Sequence, residues 1–534
     1  MSRNKNTTNN PKIRKEAANH NRRQNKSKGV NQSLNDAERA ISKDCTTSWK
    51  NTEVSNDLAW YTQNNQLLLD AANISFFNPS GTVMQGLIPN AAIVPGIMAL
   101  NFIPTFGASQ GALSPINVAA RQLYADVRRA NSGAVNYDPQ DMIIYVGAMD
   151  SVFMTLVHLM RAYGVANVYS TTDRYMPDGL LKAARIDGTD LREHLADYRM
   201  QINVLVAKAQ RLSVPAFFPI FKRHAWMCEN IFLDAPSIKS QMYMFVPDLL
   251  YKYNPTINEQ GGGLQAIDAT GFTKASDWIA ALNDMLEVLM TDDDIAIISG
   301  DMMKAYGTGS FMVIPSIAES YVTVPQYDEE VLTEILNASI VQVSSSQFSQ
   351  FNLTQQVNTL TLVTNPVGYG SVDQWPEEPT SIPLTLRLDS PTPGDVMVST
   401  RLSAIAAVTP ESSTSRQGTA RIVACGTEII RCISIVEFNK AGALVMPQNF
   451  GIITVVSDEA GAALNDSAIT RIAQITKFDW HPRIILANSK TEATNVLGYL
   501  QDWDNVTVVQ PNTLAKMNEA AVLSLFTMQN QFVR

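Results

Sequence analysis

From Asn117 to Ala338 the apolar residues recur three and four apart, the spacing that lines one face of an α-helix. Asn117–Ala130 and Asp150–Tyr163 read as helices. Asp150 is the expected N-cap of the second, because a carboxylate there accepts the unpaired N–H groups of a first turn. Tyr145–Asp150 reads as a strand giving way to that helix, with Gly147 and Ala148 allowing close backbone approach. Leu191, Leu195, Tyr198, Ile202, Leu205, Val206, Ala209 and Leu212 predict one long amphipathic helix that stops before Pro215. Trp278, Ile279, Leu282, Met285, Leu286 and Leu289 predict another, and Glu329–Ala338 a third.

Near residue 340 the period changes to two. Val341–Val343, Thr359–Val363 and Leu384–Leu388 alternate as half-buried strands do. Arg421–Cys425 and Glu428–Phe438 flank Gly426-Thr427, which predicts a hairpin with a type II′ turn. Strand-like Gly451–Val456, Arg483–Ala487 and Asn505–Val509 follow, then a helix near Thr513–Met528. The expected fold class is α+β: a predominantly helical body over 46–340, a β-rich module over 341–450 and a mixed α/β segment over 451–534. Residues 1–45 hold almost nothing apolar to offset the entropy of ordering them, so a disordered arm is expected there.

Charge sharpens this division. The net charge is −9, yet residues 1–30 carry nine basic side chains (Arg3, Lys5, Lys12, Arg14, Lys15, Arg22, Arg23, Lys26 and Lys28) and one acid, Glu16. The arm is therefore +8, and 32 basic against 49 acidic residues leave the rest of the chain at −17. A basic tail on an acidic body is expected where one end meets a polyanion and the other does not. No aromatic residue interleaves those charges, so phosphate contact without sequence readout is the expected mode of RNA binding. Between Asp70 and Arg121 no residue is charged, but Pro79, Pro89, Pro95, Pro104 and Pro115 interrupt every run long enough to be a membrane helix. Irregular backbone buried in protein is expected there, without stable membrane insertion.

Catalytic spacings are missing from the sequence. His20, His158, His194, His224 and His481 form no HExxH or Cys/His ligand pattern. His158 lies on an apolar helix and reads as a hydrogen-bonded core residue, while His194 reads as solvated. Gly261–Gly263, Gly307–Gly309 and Gly368–Gly370 lack the Lys-Ser or Lys-Thr of a phosphate loop and read as turns. Asp292-Asp293-Asp294 has no second carboxylate pair for two-metal chemistry and reads as a helix N-terminus. Cys45, Cys228, Cys425 and Cys432 set neither a disulfide framework nor a zinc site. The first residues lack the apolar core of a signal peptide, so synthesis in a reducing interior is expected. No enzyme activity, cofactor or metal is expected.

Ile143-Ile-Tyr-Val-Gly-Ala-Met-Asp-Ser151 resembles a signature of picobirnavirus capsid proteins. The resemblance continues through Arg161-Ala-Tyr-Gly164, Asn167-Val-Tyr169, Asp173-Arg-Tyr175 with Pro177, Ala196-Asp-Tyr-Arg199 and Leu212-Ser-Val-Pro215. Glu229-Asn-Ile-Phe232, Tyr243-Met-Phe245 with Pro247, Asp301–Gly307 and Ile314-Pro315 extend it over 143–316. Arg161, Tyr163 and Arg174 in this block are suited to bond carbonyls or acids across a contact, either a joint within the subunit core or an interface between subunits. The resemblance implies homodimers assembled into a small icosahedral, T=1 shell around viral double-stranded RNA. It implies a helical shell domain (46–340), a projecting domain (341–450), a C-terminal segment returning to the shell, and the basic arm facing inward. It also implies synthesis in the host cytoplasm and residence in the virion. An RNA-coating nucleoprotein without a closed shell is the alternative, and the −17 body speaks against it.

A peptide of residues 1–30 should bind RNA with a log affinity that falls against log salt with a slope of about −7, given eight net charges. Titration at several salt concentrations checks this; a slope near zero would contradict phosphate contact.

Overall fold

The computed structural model describes residues 64–72, 82–84, 92–94 and 96–527, apart from 132, 134–136, 168–175, 238–239, 259–260, 308, 357, 373, 414, 439–442, 457–465 and 489–495. The chain divides into Met1–Phe77, of which the helix Asn65–Ala72 is described, and Asn78–Arg534, which holds all that follows. The basic arm, with Arg3 to Lys28, and Cys45 and Arg174 lie outside the described residues.

One sheet and one helix organise the second unit, a mixed α+β fold. The sheet runs Leu444–Val445, Glu428–Phe438, Ile97–Pro104, Met242–Pro247, Phe232–Leu233, with Gln448–Asn449 also paired to Glu428–Phe438. Ile97–Pro104 is antiparallel to Glu428–Phe438 and parallel to Met242–Pro247. All eight of its residues are buried, so the uncharged stretch expected to be irregular supplies the central strand. An apolar strand of this kind is what a sheet covered on both faces requires.

The organising helix is Pro139–Ala166, buried from Met142 to Val165. It packs against the helices Pro115–Ala130, Leu195–Ala209, Pro219–Glu229 and Ala275–Thr291 and against the hairpin Leu249–Asn258/Gly261–Asp268. It begins with Pro139 after Asp138, where Asp141 Oδ2 accepts from the Asp138 N–H at 2.8 Å, a reciprocal capping arrangement. This corrects the expectation of a strand before Asp150 and a cap at it. Ile143, Ile144 and Val146 have strand-like side chains, but they are helical, and Asp150 lies mid-helix. The close approach at Gly147 is real: a Cβ there would lie 2.8 Å from the Phe106 ring and from Leu264. The helix is apolar and long enough to cross a membrane, but its apolar window is wholly buried within the protein.

Three further expectations change. The long helix through Leu191–Leu212 breaks at His194 into Gly188–Glu193 and Leu195–Ala209. Arg421–Cys425 and Glu428–Phe438 do not form a hairpin. Gln417–Ala424 alternates exposed and buried residues and pairs with Ile405–Pro410 and Val367–Ser371, whereas Glu428–Val436 is buried at every residue and Glu428–Phe438 enters the central sheet. Their burial patterns suit different layers, and burial fixes pairing. Thr427 accordingly accepts from the Thr105 N–H at 2.7 Å. Two glycine clusters lie in strands, not turns. Gly261–Asp268 is a strand, and Gly263 has no room for a side chain beside the Leu353 carbonyl; Gly368 is in the same position beside Gln342. Gly307, with φ 77°, does end its helix.

The expected β-rich stretch thus shares its longest strand with the sheet of the helical body. Ala275–Thr291, Glu329–Leu336 and Pro511–Leu525 form close to where periodicity put them.

Gly164→Ala should destabilise the protein by about 1–3 kcal/mol through overpacking, despite alanine's better helix propensity of about 1 kcal/mol. A Cβ there would sit 2.7 Å from the Thr323 backbone nitrogen, which cannot easily move. Equilibrium denaturation checks it; a more stable variant would contradict the packing.

Candidate functional site: a buried ionic joint

A buried charge without a partner costs several kcal/mol, so each ionised group in this core has to be matched. Asp248 directly follows the Met242–Pro247 strand and is fully buried. Arg185 and Arg431 reach it from two parts of the chain, each forming an ion pair with one carboxylate oxygen. Arg185 has left-handed backbone, φ 58°, just after the helix Met176–Ala183. It also donates to Asn101 Oδ1 at 2.8 Å and to the carbonyls of Pro247 and Ala269 at 3.1 and 3.2 Å. Burial draws Arg185 down to about 10, so it stays charged at neutral pH. Arg431 occupies the bulge between Ile430 and Cys432, where pairing with Ile97–Pro104 slips. A bulge re-aims a side chain, and here the charge points inward.

A second cluster lies under the helix Pro219–Glu229. His224 Nδ1 is 2.5 Å from Asp150 Oδ2, and its Nε2 is 3.3 Å from Glu428 Oε1. Arg223 grips Glu334 with two bonds, at 3.0 and 2.6 Å, and reaches Glu428 at 3.3 Å. Burial alone would lower the His224 pKa, but Asp150 and Glu428 overcome it and raise the imidazole to about 9. Burial likewise opposes ionisation of Glu428, yet Arg223, His224 and Thr427 hold it down at about 2. Burial lifts Asp150 and Glu334 above the ordinary carboxylate range, against the pull of their basic partners.

Arg161 is handled differently. Its guanidinium donates to the carbonyls of Asn230 at 3.2 Å and Phe245 at 2.8 Å and to His158 Nδ1 at 2.9 Å. His158 must then carry its proton on Nε2, which lies 3.1 Å from the Ala184 carbonyl. Burial and Arg161 both keep that imidazole neutral. His158 is thus the core histidine expected, and Tyr163 bonds the Glu319 carbonyl at 3.1 Å.

These groups join the central sheet, the buried helix and the Glu428–Phe438 strand. They do not form a reaction site. Asp150 and His224 resemble two members of a triad, but both are buried and neither is presented to a substrate. Asp292 caps the helix Asp293–Tyr306, accepting from Asp294 N and Ile295 N at 3.0 Å, as expected of the acidic triplet. His194 is exposed, as expected, and His481 bonds the neighbouring Pro482 carbonyl. Among the described residues no group of three His, Cys, Asp or Glu is placed to hold a metal. Cys228, Cys425 and Cys432 are buried and free.

The joint went unread in the sequence although a signal was present. Arg431 interrupts Glu-Ile-Ile-Arg-Cys-Ile-Ser-Ile-Val, and Asp248 follows Met-Phe-Val-Pro. A charge inside a buried apolar run calls for a buried counterion, but does not say which one.

Three comparisons bear on identity. The family model described as picobirnavirus capsid protein matches residues 60–372. A capsid protein precursor of human picobirnavirus is 28% identical over 507 residues, spanning 88% of this chain and 90% of that protein. A crystal structure of the picobirnavirus capsid has the same fold, with TM-score 0.75 at 24% identity over 90% of this chain and 99% of that one.

Asp248→Asn should cost about 3–5 kcal/mol, the penalty for stranding a buried charge, since two arginines lose their counterion. Denaturation midpoints check this. His224→Gln should show a particular pH dependence. A pKa raised from 6.5 to about 9 stabilises fully below 6.5 and loses that contribution as pH rises through 9. Glu428, depressed from 4.5 to about 2, contributes above 4.5 and loses it as pH falls toward 2. The stability gap between wild type and His224→Gln should therefore be widest between 4.5 and 6.5 and narrow toward 9; a gap independent of pH would contradict the charged imidazole.

Proposed function

The chain belongs to the picobirnavirus capsid protein family, and from that premise we propose that it dimerises and closes into a small icosahedral, T=1 shell around double-stranded RNA. Its role is structural and its place is the virion. The family match over 60–372 carries this reading. The charge division adds a physical use: the +8 arm with Arg3, Lys5, Lys12, Arg14, Lys15, Arg22, Arg23, Lys26 and Lys28 neutralises phosphates inside, where a −17 body would repel them.

The division of labour along the chain is part of the same proposal. The helical body over 46–340 tiles the shell, and the β-rich stretch over 341–450 projects from it. The Glu428–Phe438 strand anchors the projection in the shell's own sheet, and residues 451–534 return to the shell. Protein made in the host cytoplasm would assemble there.

Electron microscopy of the purified full chain should show closed particles of uniform diameter. A monomer that persists at high concentration would contradict the proposal.

A further inference from the structure

Asn505–Val509 pairs with Ile382–Leu386 in a two-stranded sheet. The register sets Val506 against Thr385 and Val508 against Pro383. Pro383 has no N–H to give, and the Thr385 N–H is taken from the far side by Asn337 Oδ1 at 2.9 Å. The Asn337 amide also returns a bond to the Thr385 carbonyl at 2.9 Å, so a side chain closes that edge of the sheet. Both cross-strand pairs are therefore the non-hydrogen-bonded kind, and Val506 and Val508 aim their N–H and C=O groups away from Ile382–Leu386. None of these four groups finds a partner among the described residues.

Natural edge strands are normally protected by lysine, proline, a bulge or a covering element. Asn505–Val509 carries no charge and no proline, pairs without a bulge, and is exposed at every residue but the last. Val506 and Val508 are 49% and 56% exposed. Tyr499 and Trp503, just before it, are 49% and 43% exposed and meet edge to face at 6.3 Å.

We propose that this open edge receives a second copy of itself, antiparallel about a two-fold axis at Thr507. The register is self-complementary. Val506 meets the partner's Val508 and Val508 meets the partner's Val506. The outward groups on each strand then form four backbone hydrogen bonds. Asp504 falls opposite the partner's Gln510 and not opposite another acid, so no like charges oppose each other. A two-fold contact uses one patch twice, and this is a patch whose donors and acceptors match their own inverted image. The inference deepens the capsid reading by naming the surface through which the dimer forms.

The test uses the full chain carrying Cys45→Ser and Thr507→Cys. Thr507 meets the partner's Thr507 as a non-hydrogen-bonded pair, with a Cα separation near 4.5 Å, within disulfide reach. Mild oxidation should convert most of the protein to a covalent dimer, and the Cys45→Ser chain alone should give none. Val508→Pro, which removes an outward donor and leaves the Ile382–Leu386 pairing intact, should weaken dimerisation at least tenfold with unchanged circular dichroism. If the protein dimerises or forms shells but Thr507→Cys gives no cross-link, this surface is overturned and the capsid reading stands. If the unmodified protein stays monomeric, both fall.

Discussion

The ion pairs at Asp248 tie together parts of the fold that lie far apart in the sequence. One carboxylate, fully buried, meets Arg185 from the helical body and Arg431 from a strand more than 240 residues further along. Separating these parts would strand a charge in a medium that cannot solvate it. The cluster of Asp150, His224, Glu428, Arg223 and Glu334 repeats the device a short way along the same strand. The chain between Asn78 and Arg534 is consequently fastened at the level of its core. For a shell subunit this has a use: contacts with neighbours are made by a body whose parts do not shear apart.

Much of this was legible in the sequence, and the parts that were not have two causes. Helical spacing located Ala275–Thr291 because it buries one stripe and exposes another, which leaves a period to read. Pro139–Ala166 is buried all round and has no such period, so Tyr145–Asp150 reads as a strand. The same holds for Ile97–Pro104, whose lack of charge gave burial but not geometry. The false hairpin at Gly426-Thr427 arose because local turn chemistry is silent about which sheet each flanking strand will join.

The family resemblance followed a related rule. The matching segments over 143–316 fall largely on the buried helix and the elements packed on it, and the family match extends this to 60–372. Asp150 and Arg161 lie within those segments, and each is tied to a distant element: Asp150 to His224, Arg161 to Phe245. These two residues of the resembling segments are thus joints of the scaffold. Spacing along the chain recognised them but misassigned Asp150, because a cap and a buried ion pair both call for a lone acid in an apolar setting.

The proposed reading gives assembly to the acidic body and phosphate binding to the cationic first 30 residues. The direct measurement is the nucleic-acid content of particles formed by the chain lacking residues 1–30, read from the ratio of absorbance at about 260 and 280 nm alongside electron microscopy. Closed shells that are nearly free of RNA are expected. Truncated shells as full of RNA as the intact ones would contradict the reading.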